Sequence, residues 1–131
     1  MGVSPTTSED EISRHALYQL ELVLSQQSAA ADTAAILIEP VLGEGGYVQA
    51  PDTFLRGLRE IANKHNLLLI FDEVQCGFGR TGKYFASEYS GVVPDILVVA
   101  KALANGFPLS GIISRKEITD AHSPGTMVCL S

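Results

Sequence analysis

Three short aliphatic runs set the limits on what this chain can fold into: Ala34 to Glu39, Leu67 to Phe71 and Ile96 to Val99. Each closes on or beside a chargeable side chain. Runs this short and this uniformly apolar suit parallel strands covered on both faces, because a strand with one wet face alternates polar and apolar residues. The segments between them carry a different period. Ser8-x-x-Glu11 has the spacing of a capping box, and Ile12, Ala16, Leu17, Leu20, Val23 and Leu24 follow at helical intervals, which predicts a helix over 8–28. Ser28 to Thr33 is a small-residue connector. Pro51 opens a second helix whose Phe54, Leu55, Leu58, Ile61 and Ala62 share one face. Glycine-rich stretches at 43–46 and 77–82 read as loops. After the third run, Gly106-Phe107-Pro108 turns the chain, 109–114 reads as a fourth strand and 116–122 as a short helix. Apolar strands alternating with amphipathic helices define an α/β sheet of βαβ units.

Composition narrows the function classes. Of 131 residues, 46% are hydrophobic and 18% charged, the balance of a globular domain rather than a disordered chain. The net charge is −6 and no basic block exceeds a pair, which argues against nucleic acid as the main partner. The acidic start, Ser8-Glu9-Asp10-Glu11, resembles neither a signal nor a transit peptide, and no aliphatic run approaches bilayer length. A soluble protein with no membrane partner is expected. Cys76 and Cys129 make no disulfide framework, which fits a reducing compartment; the expectation is the cytoplasm, with the mitochondrion as the alternative for a full-length form. His15, His65 and His122 are too dispersed to read as a metal site.

In open α/β sheets, functional residues gather at the carboxyl ends of the strands. Glu39, Asp72 and Lys101 all fall at such ends. A carboxylate there tolerates poor solvation only beside a positive partner, and a lysine there becomes nucleophilic when desolvated. Taken singly, each has a plainer reading: Asp72-Glu73 as a turn or helix cap, Lys101 as a solvated surface residue. A decoy lies between them. Gly77-x-x-x-x-Gly82-Lys83 mimics a phosphate-binding loop, but Tyr84 stands where magnesium coordination needs a small hydroxyl.

Longer motifs decide between these readings. Leu69-Ile70-Phe71-Asp72-Glu73-Val74-Gln75-Cys76-Gly77-Phe78-Gly79-Arg80-Thr81-Gly82 closely resembles a block of the class III aminotransferases, the ornithine and 4-aminobutyrate aminotransferase group. Pro94-Asp95-Ile96-Leu97-Val98-Val99-Ala100-Lys101-Ala102-Leu103-Ala104-Asn105-Gly106-Phe107-Pro108 resembles a second block, with Asp72 and Lys101 29 positions apart as in that family. Ile38-Glu39-Pro40-Val41-Leu42-Gly43-Glu44-Gly45-Gly46 resembles a third. Three ordered blocks across residues 34 to 120 are far more specific than any lone motif.

The resemblance implies the partial large domain of a fold-type I enzyme dependent on pyridoxal 5'-phosphate, with a mostly parallel sheet and flanking helices. It implies an aminotransferase that moves an amino group from an amine or amino acid to a 2-oxo acid through a Schiff base on Lys101, working as a homodimer. By the same resemblance, Lys101 also shuttles the proton, Asp72 pairs with the pyridine nitrogen and Gln75 bonds the ring hydroxyl. Val74 would pack against the ring, two residues beyond Asp72 and hence on the same strand face. Glu39 and Glu44 match substrate-pocket positions, Glu44 that of a gate which pairs with an arginine. Arg80 lies in what looks like a structural loop near the subunit interface. The family's upstream phosphate loop and stacking aromatic find no counterpart before Ala34, and its small C-terminal domain finds none after Ser131. Thr126 is not assigned to the partner-reaching threonine of the family. The expectation is therefore one partial domain over 1–131, either an aminotransferase module or a catalytically inactive α/β remnant of one.

Overall fold

The computed structural model describes residues 7–121. Residues 122–131, which carry His122, Thr126 and Cys129, lie outside that range, as does the end of the expected 116–122 helix.

Helix α1 spans Glu9–Gln26. Its start is the capping box seen in the sequence: Ser8 Oγ accepts the Glu11 N–H at 3.2 Å, and Glu11 Oε2 accepts the Ser8 N–H at 3.2 Å. Helix α2 spans Asp52–His65 and follows Pro51, which stands at the cap rather than inside the first turn. Asn66 ends α2 in the left-handed conformation, at φ 57°. Strands β1 (Ala35–Ile38), β4 (Leu68–Asp72), β5 (Ile96–Val99) and β6 (Gly111–Ser114) form one sheet in the order β1-β4-β5-β6. The first three run parallel and β6 runs antiparallel to β5. A small antiparallel ribbon, β2 (Val41–Leu42) with β3 (Val48–Gln49), encloses the first glycine-rich loop. Single-turn helices α3 (Ser87–Ser90) and α4 (Lys116–Thr119) complete the described chain.

Packing explains which face of the sheet is dry. Leu55, Leu58, Ile61 and Ala62 of α2 are buried against Leu69, Phe71, Leu97 and Val99. Register places Ile36 beside Leu69 and Ile38 beside Phe71, so alternate residues of β1, β4 and β5 share that face. The other face differs from the expectation of two covered faces. Leu37 is 64% exposed and Ile112 48% exposed. Leu68, Ile70, Asp72, Ile96 and Val98 are half-buried. Helix α2 packs on one side of the sheet and α1 packs against α2.

Two charged clusters tie the layers together, away from the strand ends that carry the site. Asp95, which precedes β5, accepts Leu69 N–H at 2.8 Å, Arg59 Nη1 at 2.7 Å and Arg115 Nη2 at 2.9 Å. Burial pushes its carboxyl pKa up, but the Leu69 amide and the two guanidinium groups outweigh that and hold it below the usual value. Glu21 of α1 accepts Lys64 Nζ at 2.8 Å and lies 2.9 Å from His65 Nε2, joining α1 to the end of α2. The described helices include none long and apolar enough to cross a membrane.

Candidate active site

The carboxyl ends of β1, β4 and β5 open onto a cleft of about 520 Å³, walled by Glu44, Tyr47, Gln75, Cys76, Arg80 and Lys101 among others. Lys101 opens a 3-10 turn directly after β5, with φ at 43°. Positive φ is costly for a side chain with a Cβ, about 1–3 kcal/mol, and persists only where surrounding structure imposes it. Lys101 Nζ donates to Gln75 Oε1 at 2.8 Å, and Gln75 Nε2 donates to the Tyr47 hydroxyl at 3.2 Å. The amine therefore sits on the cleft wall against a neutral carboxamide.

Asp72 is the last residue of β4, pairs with Val98 and lies on the face of the sheet opposite Leu69, Phe71 and α2. Its Oδ1 accepts the Val74 N–H at 3.0 Å. That turn removes the reason given for Val74: the strand ends at Asp72, Val74 is already in a turn, and strand alternation no longer relates the two side chains. Gln75 and Glu44 stand on the cleft wall with Lys101, Glu44 being exposed. Glu39 does not wall this cleft. Its Oε2 accepts the Gly43 N–H at 2.9 Å, and the residue lines a separate apolar groove with Ile12 and Phe54.

Three features escaped the sequence. Glu73 has no exposed surface, and its carboxylate accepts the Ala86 N–H at 2.6 Å and the Ser87 N–H at 2.8 Å. It closes the loop that carries Gln75, Cys76, Arg80 and Thr81; its one sequence signal was the doubled acid at the strand end. Arg80, read as a structural residue of that loop, lines the cleft, as does Thr81, whose Oγ1 is buried with no partner among the described residues. Burial, helped by the nearby charge of Glu73, pushes the Cys76 thiol up to about 11. The same burial that raises the thiol disfavours the thiolate form of Cys76. Lys83, of the phosphate-loop decoy, donates to the Glu88 carbonyl oxygen at 3.1 Å and covers the Tyr89 ring.

The amine of Lys101, the cation of Arg80 and a buried Thr81 hydroxyl without a partner among the described residues wall the cleft and suit an anionic, aldehyde-bearing ring. Asp72, at the end of β4, is not among the residues that wall it. The chain belongs to the class III aminotransferase family, whose profile matches residues 4–128. The succinylornithine transaminase of Salmonella paratyphi A is 46% identical over 95% of this chain. An omega transaminase from Pseudomonas jessenii, solved in complex with PMP, superposes with TM-score 0.84 at 31% identity over 91% of the chain. An ornithine aminotransferase from Plasmodium yoelii superposes with TM-score 0.77 at 34% identity over 86%. The chain spans about a third of the Salmonella enzyme (32%), and 26% and 29% of the two solved chains.

Proposed function

We propose that this chain supplies the lysine-bearing wall of the active site of a pyridoxal-phosphate-dependent aminotransferase, which moves an amino group from an amine or amino acid to a 2-oxo acid. The observation that carries the proposal is the Lys101 amine on the cleft wall, held by a neutral carboxamide at the carboxyl end of a parallel strand. When bound, the cofactor supplies an electrophilic aldehyde carbon and an electron-withdrawing ring. Lys101 Nζ would hold the cofactor through its aldehyde carbon and, as a free amine, would be the group placed to accept and return a proton. The Asp72 carboxylate, with one oxygen on the Val74 amide, would leave the other for the cofactor's ring nitrogen. Arg80, on the cleft wall, would supply positive charge for an anionic group, and Glu44, on the same wall, would act on the substrate as the family resemblance implies. A homodimer belongs to the same reading and rests on the family resemblance, whereas a cytoplasmic location rests on the two cysteines and the acidic start of the sequence.

Because the chain spans about a third of the Salmonella enzyme, one alternative is a chain that keeps the lysine but binds nothing by itself. Purified chain mixed with pyridoxal phosphate and reduced with borohydride separates the two. The expected result is a pyridoxyl group on the Lys101 peptide, lost in Lys101→Ala, with amino transfer from an amine donor to a 2-oxo acid. Wild-type chain left unlabelled at Lys101 under saturating cofactor leaves the inactive remnant as the reading.

A further inference from the structure

Gln75 bridges two elements: the loop between β2 and β3, through Gly43 and Tyr47, and the turn after β5, through Lys101. A Cβ built on Gly43 would lie 2.8 Å from Gln75 Cδ and 2.9 Å from both carboxamide heteroatoms, so the bare glycine forms the back wall of that amide. Gly43 is itself held from both sides. Its N–H donates to Glu39 Oε2 at 2.9 Å, and its carbonyl oxygen accepts the N–H groups of Gly46 and Tyr47 at 3.0 and 3.1 Å. Tyr47 in turn has φ 56°, a conformation its loop imposes, and presents the hydroxyl that accepts from Gln75 Nε2.

The chemistry of the donors allows one orientation of the amide. Lys101 Nζ donates to the oxygen end of Gln75, and the NH2 end must then find an acceptor, which Tyr47 provides. We propose that Glu39 is a positioning residue for Lys101: by fixing Gly43 it sets the wall and the acceptor that hold the Gln75 oxygen toward the amine at 101. Glu39 acts through the loop and not by contact with substrate, and an oxygen acceptor at its position, charged or neutral, is sufficient. This inference rests on the aminotransferase reading only in what Lys101 is for; the positioning itself is a property of the chain without cofactor.

Three variants and two readouts test it. Glu39→Ala leaves the buried Gly43 N–H without its acceptor, Gly43→Ala pushes Gln75 away with Glu39 intact, and Glu39→Gln keeps an oxygen acceptor but no charge. The first readout is the side-chain NH2 signal of Gln75 by nitrogen-edited NMR of the chain without cofactor, assigned through Tyr47→Phe. The signal should move in Glu39→Ala and Gly43→Ala and stay near its wild-type position in Glu39→Gln. The second is the extent of borohydride fixation of pyridoxal phosphate on Lys101 at limiting cofactor. It should fall roughly three- to tenfold in the first two variants and less than about twofold in the third. A Gln75 signal unmoved in Glu39→Ala, or Glu39→Gln behaving like Glu39→Ala in a folded chain, overturns the proposal. If wild-type chain fixes no cofactor while the NMR pattern holds, the aminotransferase reading fails and the positioning role stands.

Discussion

Removing the Glu73 carboxylate tests the clamp beneath the cleft directly. The side chain has no exposed surface and accepts two amides, those of Ala86 and Ser87. A hydrogen bond to a charged group contributes about 1.5–3 kcal/mol net, and a buried N–H left without a partner costs about 1–3 kcal/mol. Glu73→Ala breaks both bonds and strands both amides, for a combined cost of about 3–5 kcal/mol, against a total stability of about 5–15 kcal/mol for a small domain. Glu73→Gln keeps one oxygen for one amide but turns an NH2 against the other, so its cost should be smaller, about 2 kcal/mol. Urea unfolding followed by circular dichroism gives both values, and hydrogen exchange resolves the site. Exchange at Ala86 and Ser87 should accelerate more than at Leu69 in the centre of β4. A loss below about 1 kcal/mol in Glu73→Ala, or unchanged exchange at those two amides, would refute the clamp.

Phe71→Ala, at a side chain with no exposed surface between α2 and the sheet, should cost about 3–5 kcal/mol in the same urea assay. Asp95 gives a pH dependence of definite sign. Its folded-state pKa lies below its ordinary 3.8, so its contribution is complete above that value and is lost as pH falls through the lower, folded one. Urea midpoints measured downward from pH 5 should fall less steeply in Asp95→Asn than in wild type. Cys76, with its thiol near 11, should resist iodoacetamide at pH 8 until the chain is unfolded; peptide mapping of the alkylated chain checks this, and rapid labelling of folded chain would contradict it.

Much of the scaffold was legible because its signals are local. The capping box and spaced leucines marked α1, the one-faced pattern marked α2, and uninterrupted aliphatics marked β1, β4 and β5 within a residue or two. The β2–β3 ribbon was not legible, since two-residue strands carry no period. Val74 was misplaced on the strand because a turn beginning at Asp72 leaves no mark in a run of mixed residues. The expectation of two covered sheet faces came from hydrophobicity alone, which says that a surface seeks cover and not what covers it.

The sequence by itself determined the α/β class, the family and the strand-end positions of Asp72 and Lys101, because these depend on periodicity and on motifs contiguous in the chain. Tertiary structure alone decided which of those side chains meet. It put Gln75 and not an acid against the Lys101 amine, buried Glu73 under the loop, brought Arg80 to the cleft and turned Glu39 onto Gly43. The physical reason is that a hydrogen bond is directional and short, so partners 26 residues apart are selected by where the backbone places them and not by what each residue prefers alone.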